Sequence, residues 1–327
     1  MSTPSNNENE DEFSLIRRFF SSQKVKRADV AKGIGDDCAI LTPPPHTQLA
    51  ISVDTLVTGV HFYPDMPPQD IGYKALACNL SDLAAAGAEP AWVTLALTLP
   101  RADSHWLHHF SEGFFSLAEQ YQLALIGGDT TRGPLSITVQ VHGFIPPQEA
   151  LSRTGAQVGD EIYVTGTLGD AGFALSLLSK KQIHHPSYDY FLSRLYRPTP
   201  RIQAGIALRK QASACIDISD GLATDLSHIL EASQVGACLY LDKLPLSPAL
   251  AQETPYQAVH CALSAGDDYE LCFTLPPAHA PEVTHALSAL ACPVTHIGTI
   301  TEKKGLSILT KEGTPFALKK KGYNHFG

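Results

Sequence analysis

Long apolar runs are missing from this chain. No stretch reaches the roughly 18 apolar residues that a membrane-spanning helix needs, so no membrane partner is expected. Basic residues are scarce: 24 Lys and Arg stand against 33 Asp and Glu, a net charge of −9. That balance excludes the basic footprint that nucleic-acid phosphates demand. There are seven cysteines, an odd number, and no Cys-x-x-Cys pair. A disulfide framework is therefore unexpected. Cys78, Cys215 and Cys272 lie in apolar strings and read as buried free thiols of a reducing, cytoplasmic compartment. Residues 1–12 are polar and acidic, with neither the basic nor the apolar region of a signal peptide, and read as a disordered tail.

What the chain does have is aspartate in unusual places. Five short acidic segments stand at the edges of apolar runs: Gly33-Ile34-Gly35-Asp36-Asp37, Ser52-Val53-Asp54, Asn79-Leu80-Ser81-Asp82, Gly127-Gly128-Asp129 and Asp217-Ile218-Ser219-Asp220-Gly221. A carboxylate beside a core element is desolvated and repels its neighbours unless something neutralises it. Mg²⁺ suits that role, because it prefers carboxylate oxygen and pairs with phosphates. Phosphoryl chemistry is the leading reading on these grounds alone.

The length of 327 residues calls for two domains, placed at 13–148 and 149–327 around Pro146-Pro147. Strands and helices alternate in both halves, so each is expected to be an α/β or α+β layered domain with a mixed sheet. Residues 49–54 alternate as a strand, which puts Ser52 and Asp54 on one face. Residues 71–86 read as a helix ended by Gly87, with Asn79 and Asp82 sharing a face that looks into a site. A second helix begins near Asp103 or Ser104, with the stripe Leu107, Phe110, Phe114, Leu117 and Tyr121. Residues 123–126 form a strand that enters a turn at Gly127-Gly128-Asp129. Residues 212–218 form another, feeding a helix with the stripe Leu222, Leu226, Ile229 and Leu230.

Each constellation has a plain reading beside the functional one. Gly33–Asp37 is also an ordinary turn. Lone aspartates at strand ends are commonly caps, but two same-face pairs exceed that need. Asp220 can cap a helix, and a helix start also attracts phosphate. The glycine-rich loop Gly166-Thr167-Leu168-Gly169-Asp170-Ala171-Gly172 lacks the Lys-Ser/Thr of a Walker A loop and reads as structural. His105, His108 and His109 fall off the apolar stripe and read as a solvated face. Cys38 leads an apolar strand and reads as structural. Arg153 is one of few basic groups near the acidic segments and suits a phosphate. Ser264-Ala265-Gly266-Asp267-Asp268-Tyr269-Glu270 is either a charged turn or a patch that meets a cationic substrate.

In order along the chain, Gly-Ile-Gly-Asp-Asp-Cys-Ala, Asp54-Thr55-Leu56-Val57 with His61-Phe62, Asn79-Leu80-Ser81-Asp82-Leu83 and Ile126-Gly127-Gly128-Asp129-Thr130-Thr131 are followed by Ser152-Arg153-Thr154-Gly155, Asp217-Ile218-Ser219-Asp220-Gly221-Leu222, Gly266-Asp267-Asp268-Tyr269-Glu270-Leu271 and Lys321-Gly322-Tyr323-x-His325-Phe326. This series resembles the thiamine-monophosphate kinases over almost the whole chain. The segment Asp-x-Ser-Asp-Gly alone also fits aminoimidazole ribonucleotide synthetase and selenophosphate synthetase. The resemblance implies two α/β domains, a homodimer formed through the first, and ATP-dependent conversion of thiamine monophosphate to thiamine diphosphate by direct in-line transfer. It implies that Asp37, Ser52, Asp54, Asp82, Asp129, Asp217 and Asp220 hold several Mg²⁺ ions. By the same resemblance Gly128, Asp129, Arg153 and Ser219 hold ATP, and His61, Asp267 and Tyr323 contact thiamine monophosphate. Asp54, Asp82, Asp217 and Arg153 then surround the reacting phosphates. Val53 stands where the family often has threonine, and Asp267 where glutamate is usual. A selenophosphate synthetase-like enzyme and a non-catalytic ATP/Mg²⁺ sensor are the rival readings.

Overall fold

The computed structural model describes residues 12–318 and Gly322. They form two compact units. The first takes the chain up to Asn79 and then Pro90–Gly143; the second takes Leu80–Glu89 and the chain from Phe144 onward. Residues 1–11 and Tyr323, and the expectations that fall on them, lie outside the described residues. No helix among the described residues is long and apolar enough to cross a membrane.

The first unit opens with α1 (Glu12–Leu15), which continues as a π-helical turn over Ile16–Phe20. A two-stranded antiparallel ribbon of β1 (Val30–Lys32) and β2 (Ile40–Leu41) flanks the Gly33–Asp37 segment. Then come β3 (Gln48–Val57), α2 (Pro68–Ala85), β4 (Glu89–Leu99), α3 (Ser104–Gln120), β5 (Ala124–Arg132) and β6 (Ser136–Ile145). The four long strands form one sheet in the order β3-β6-β4-β5, with β4 and β5 parallel. α3 starts where the Asp103 carboxylate accepts the Trp106 amide at 3.0 Å. Its stripe Leu107, Phe110, Phe114 and Leu117 is completely buried. Each such side chain contributes roughly 1.5–3 kcal/mol, against about 1 kcal/mol for a cap. The stripe therefore seats the helix and Asp103 only sets its start.

The second unit contains β7 (Glu161–Thr165), α4 (Asp170–Ser179), α5 (Tyr188–Tyr196), α6 (Ile202–Leu208), β8 (Ala214–Asp217), α7 (Leu222–Ser233), β9 (Gly236–Tyr240), α8 (Pro255–Ser264), β10 (Leu271–Leu275), α9 (Ala280–Ala289), β11 (Val294–Thr301) and β12 (Gly305–Leu309). Its six strands are ordered β12-β9-β11-β7-β10-β8. β9 and β12 run parallel and the other pairs antiparallel. Ile162 and Val164 from β7 and Ile216 from β8 meet Leu222, Leu226 and Ile229 of α7 in one core. Both units are thus mixed sheets layered with helices, as the alternating pattern predicts.

Two local expectations fail. Gly127-Gly128-Asp129 is no turn: after an irregularity at Ile126, β5 continues through it to Arg132, paired with β4. The glycine at 128 is there for contact, since a Cβ would collide with the Leu95 carbonyl oxygen of β4. Cys38 is exposed rather than structural, because β2 begins only at Ile40. Cys78, Cys215 and Cys272 are buried free thiols as read from their apolar surroundings.

Candidate active site

In the first unit, β3 alternates cleanly. Leu49, Ile51 and Val53 face outward, 45%, 53% and 56% exposed. Ser52 and Asp54 lie on the opposite, half-buried face, which buries Leu56. The Asp54 amide donates to Asn79 Oδ1 at 3.1 Å, and Asn79 Nδ2 donates to the Ala75 carbonyl at 3.0 Å. Asn79 is fully buried. It clamps β3 to α2, so its oxygen does not look into a site as the sequence suggested. Burial raises the Asp54 carboxyl above the ordinary carboxylate range. Just beyond β3, His61 Nδ1 accepts the Val57 amide at 2.9 Å, which places the ring proton on Nε2.

The other acidic groups of this unit stand elsewhere on the sheet. β3 and β5 occupy its opposite edges, so Asp54 and Asp129 are not strand neighbours. Asp129 and Gly128 are exposed on β5. Gly33 lies beside the Ile126 carbonyl of the same strand, which brings the Gly33–Asp37 loop to it. Asp37 is exposed, and its amide donates to Asp36 Oδ1 at 3.0 Å while Lys32 pairs with Asp36 Oδ2 at 2.7 Å. The Lys32 hydrogen bond holds the Asp36 carboxyl low. First-unit oxygen donors thus stand at both edges of the sheet, Ser52 and Asp54 on β3 and Asp129 on β5, with Asp37 in the loop that begins beside β5.

The second unit gathers its candidates more tightly. Asp217 closes β8, buried, and accepts the Ser81 hydroxyl at 2.7 Å. Asp82, the next residue, is half-buried. After Asp217 the chain turns into α7 through Ser219, Asp220 and Gly221. Gly221 takes φ +115°, a conformation that favours glycine. The loop is held by a residue that the sequence reading did not single out. One oxygen of Asp225 accepts the amides of Ser219, Asp220 and Gly221 at 3.1, 3.0 and 3.1 Å. Burial pushes this carboxyl up to about 7. The signal was present, an aspartate in the first turn of a helix after a glycine, but many such residues are solvated.

The Gly266–Glu270 segment runs antiparallel to this loop. Asp267 donates its amide to the Ser219 carbonyl at 2.9 Å, Tyr269 to Ile218 at 2.8 Å, and Ile218 returns one to Glu270 at 2.8 Å. Two motifs distant in sequence are therefore one structure, extending the β8–β10 pair. Gly322 lies against the Asp220 carbonyl and Thr224. Arg153 is exposed; the Cys215 amide of β8 donates to the preceding Ser152 carbonyl at 2.8 Å. Asp82 aside, the second-unit candidates Asp217, Ser219, Asp220 and Asp267 attach to the end of β8 or its continuation, whereas the Arg153 backbone lies beside the start of β8, its carbonyl accepting the Ser233 hydroxyl from the last residue of α7.

The loop at 166–172 reads out as structural. Gly169 donates its amide to both oxygens of buried Asp268, at 3.0 and 2.8 Å. The histidines of α3 form a surface group: His108 and His109 lie 3.4 and 3.1 Å from Glu112. The His109 ring hydrogen-bonds that carboxylate, and the nitrogen and oxygen ligand atoms of His108, His109 and Glu112 lie within 4.8 Å of one another at the surface.

Residues 35–145 match the family described as AIR synthase related protein, N-terminal domain, and residues 157–311 match its C-terminal domain. A thiamine-monophosphate kinase of Escherichia coli is 52% identical over 319 residues, covering 96% of this chain and 98% of its own. The chain belongs to the thiamine-monophosphate kinase family. Two solved structures are similar to it. Thiamine-monophosphate kinase from Stenotrophomonas maltophilia is 46% identical with TM-score 0.86, covering 91% of this chain and 96% of its own. AaThiL complexed with AMPPCP and TMP is 29% identical with TM-score 0.76, over 99% and 100% of the two chains. The two family matches take in Asp37, Ser52–Asp54, Asn79–Asp82, Gly127–Asp129, Asp217–Gly221 and the Gly266–Leu271 segment.

Proposed function

We propose that this protein transfers the γ-phosphoryl group of ATP to thiamine monophosphate, giving ADP and thiamine diphosphate. The full-length family relationship carries the reading. An acceptor phosphate oxygen attacks the γ-phosphorus, and the bond from that phosphorus to the β,γ-bridging oxygen breaks as ADP departs. The acceptor is already an anionic nucleophile, so no strong general base is needed. Alignment and neutralisation of two anions supply the catalysis.

The donor sets fit Mg²⁺, because every one is a hard oxygen and two of them, Asp54 and Asp217, are largely withdrawn from water. When bound, the metal would supply positive charge that offsets the charge of the phosphates. In the first unit we assign the metal role to Asp37, Ser52, Asp54 and Asp129. In the second we assign it to Asp82, Asp217 and Asp220, with Ser81 orienting the Asp217 carboxylate. Gly128, Asp129, Arg153 and Ser219 would hold ATP, Arg153 adding positive charge. His61 and Asp267 would receive thiamine monophosphate, Asp267 favouring its cationic rings, and Tyr323 would stack on a ring. The test is ATP consumption measured with and without thiamine monophosphate and Mg²⁺. Dependence on both supports the kinase; consumption indifferent to the acceptor refutes it. A stable phospho-enzyme labelled by ATP would replace direct transfer by a two-step course.

The outward stripe Leu49, Ile51 and Val53 on edge strand β3 supports a homodimer built on this unit. Val53→Asp should shift the protein to monomer in sedimentation. An unchanged mass refutes the assignment of that face. The free thiols favour a reducing compartment, and we place the enzyme in the cytoplasm.

A further inference from the structure

Beneath the Gly266–Glu270 segment lies a buried group of opposite charges. Asp170, Asp268 and Glu270 are 0%, 3% and 1% exposed. Glu270 receives Arg201 through two bonds of 2.6 Å, Arg194 at 3.1 Å and the Thr165 hydroxyl at 2.7 Å. Asp170 accepts Ser247, Thr167 and Tyr190 hydroxyls at 2.5, 2.9 and 3.0 Å, with Arg194 Nε 3.6 Å away. Asp268 accepts the Gly169 amide with both oxygens. Desolvating such charges costs several kcal/mol per ion, and apolar side chains of the same volume would hold a sheet as well or better. Stability alone does not account for the arrangement.

Directly above it, the backbone is strained. Asp267 and Tyr269 take φ of +67° and +50°, left-handed conformations that side chains with a Cβ resist. Strain of this kind persists where the surroundings over-determine the chain, and it collects at functional positions. The surroundings here are the two anchors that alternate with the strained residues, Asp268 and Glu270. Both strained residues are half-buried, and the Tyr269 hydroxyl donates to Asp267 Oδ1 at 3.2 Å. Backbone, anchors and phenol all bear on the position of one carboxylate.

We infer that Asp268, Tyr269 and Glu270 are positioning residues that fix Asp267 and thereby set affinity for the cationic ring end of the acceptor. The inference rests on the kinase reading above. Apparent KM values for thiamine monophosphate and for ATP, with melting temperatures, are to be measured on the full chain and on Tyr269→Phe, Asp268→Asn and Asp268→Ala. Tyr269→Phe keeps the ring and every buried charge, so it tests the idea even if an Asp268 variant fails to fold. The expected result is a rise of about tenfold in KM for thiamine monophosphate in Tyr269→Phe, with KM for ATP moving less than about threefold. Asp268→Asn, which keeps one acceptor, should lose less than Asp268→Ala. Equal rises in both KM values, or unchanged KM values with a lowered melting temperature, overturn the inference and leave the kinase standing. A wild-type chain with no acceptor-dependent ATP consumption refutes the kinase reading, and this inference with it.

Discussion

Asp225 offers the sharpest test of how the Asp217–Gly221 loop is held. In Asp225→Ala the three amides that share its oxygen lose their acceptor. The Gly221 amide is buried and the other two partly so. A buried unsatisfied donor costs about 1–3 kcal/mol, and donors that can reach water cost about 0.5–1.5 kcal/mol each. The loss is therefore about 2–6 kcal/mol, a large part of the 5–15 kcal/mol that stabilises an ordinary domain. Asp225→Asn retains a neutral oxygen and separates the charge from the bonds. Burial raises the folded carboxyl to about 7 from an ordinary 3.8, so the folded state holds the extra proton between those values. Its contribution is complete below about pH 4 and is lost as pH rises through about 7. Three pH units at 1.36 kcal/mol each set a ceiling of about 4 kcal/mol. Urea unfolding at pH 5 and pH 8 reads both effects. The Asn variant should gain on the wild type as pH rises, while the Ala variant should be weaker at pH 5 and bind ATP poorly. An Ala variant within about 1 kcal/mol of wild type, or a pH-independent difference for Asn, refutes this account of the loop.

Other outcomes are as specific. Asp82→Asn and Asp217→Asn should each lower turnover at least about 100-fold with the circular dichroism spectrum intact; near-normal activity in either removes the acidic cluster from the mechanism. His105→Ala should be nearly silent, because His105 is exposed on α3 and its ring rests edge-on against His109; a large loss of activity would return that face to consideration. Cys38 is exposed while Cys78, Cys215, Cys261, Cys272 and Cys292 are buried, and burial pushes the Cys261 thiol up to about 12. A native thiol titration at pH 8 should therefore show Cys38 reacting fastest and half-buried Cys238, raised by burial, more slowly; fast reaction beyond these two would contradict the packing of the second unit.

The sequence by itself determined what depends on local chemistry. Period-two alternation put Ser52 and Asp54 on one face of β3, and period-3.6 spacing picked out the buried stripes of α3 and α7. Those patterns are legible because burial repeats with the geometry of the element. The family followed from ordered motifs in the same way. The tertiary structure decided what depends on partners distant in the chain. Gly127-Gly128-Asp129 looks like a turn, yet pairing with β4 keeps it extended. Asn79 looks like a ligand, but its amide is bound to β3 and Ala75. Asp268 and Glu270 look like ordinary surface acids until Gly169 and Arg201 are seen bonded to them. A hydrogen bond across dozens of residues leaves no periodic trace in a sequence, because either partner alone is an unremarkable polar residue.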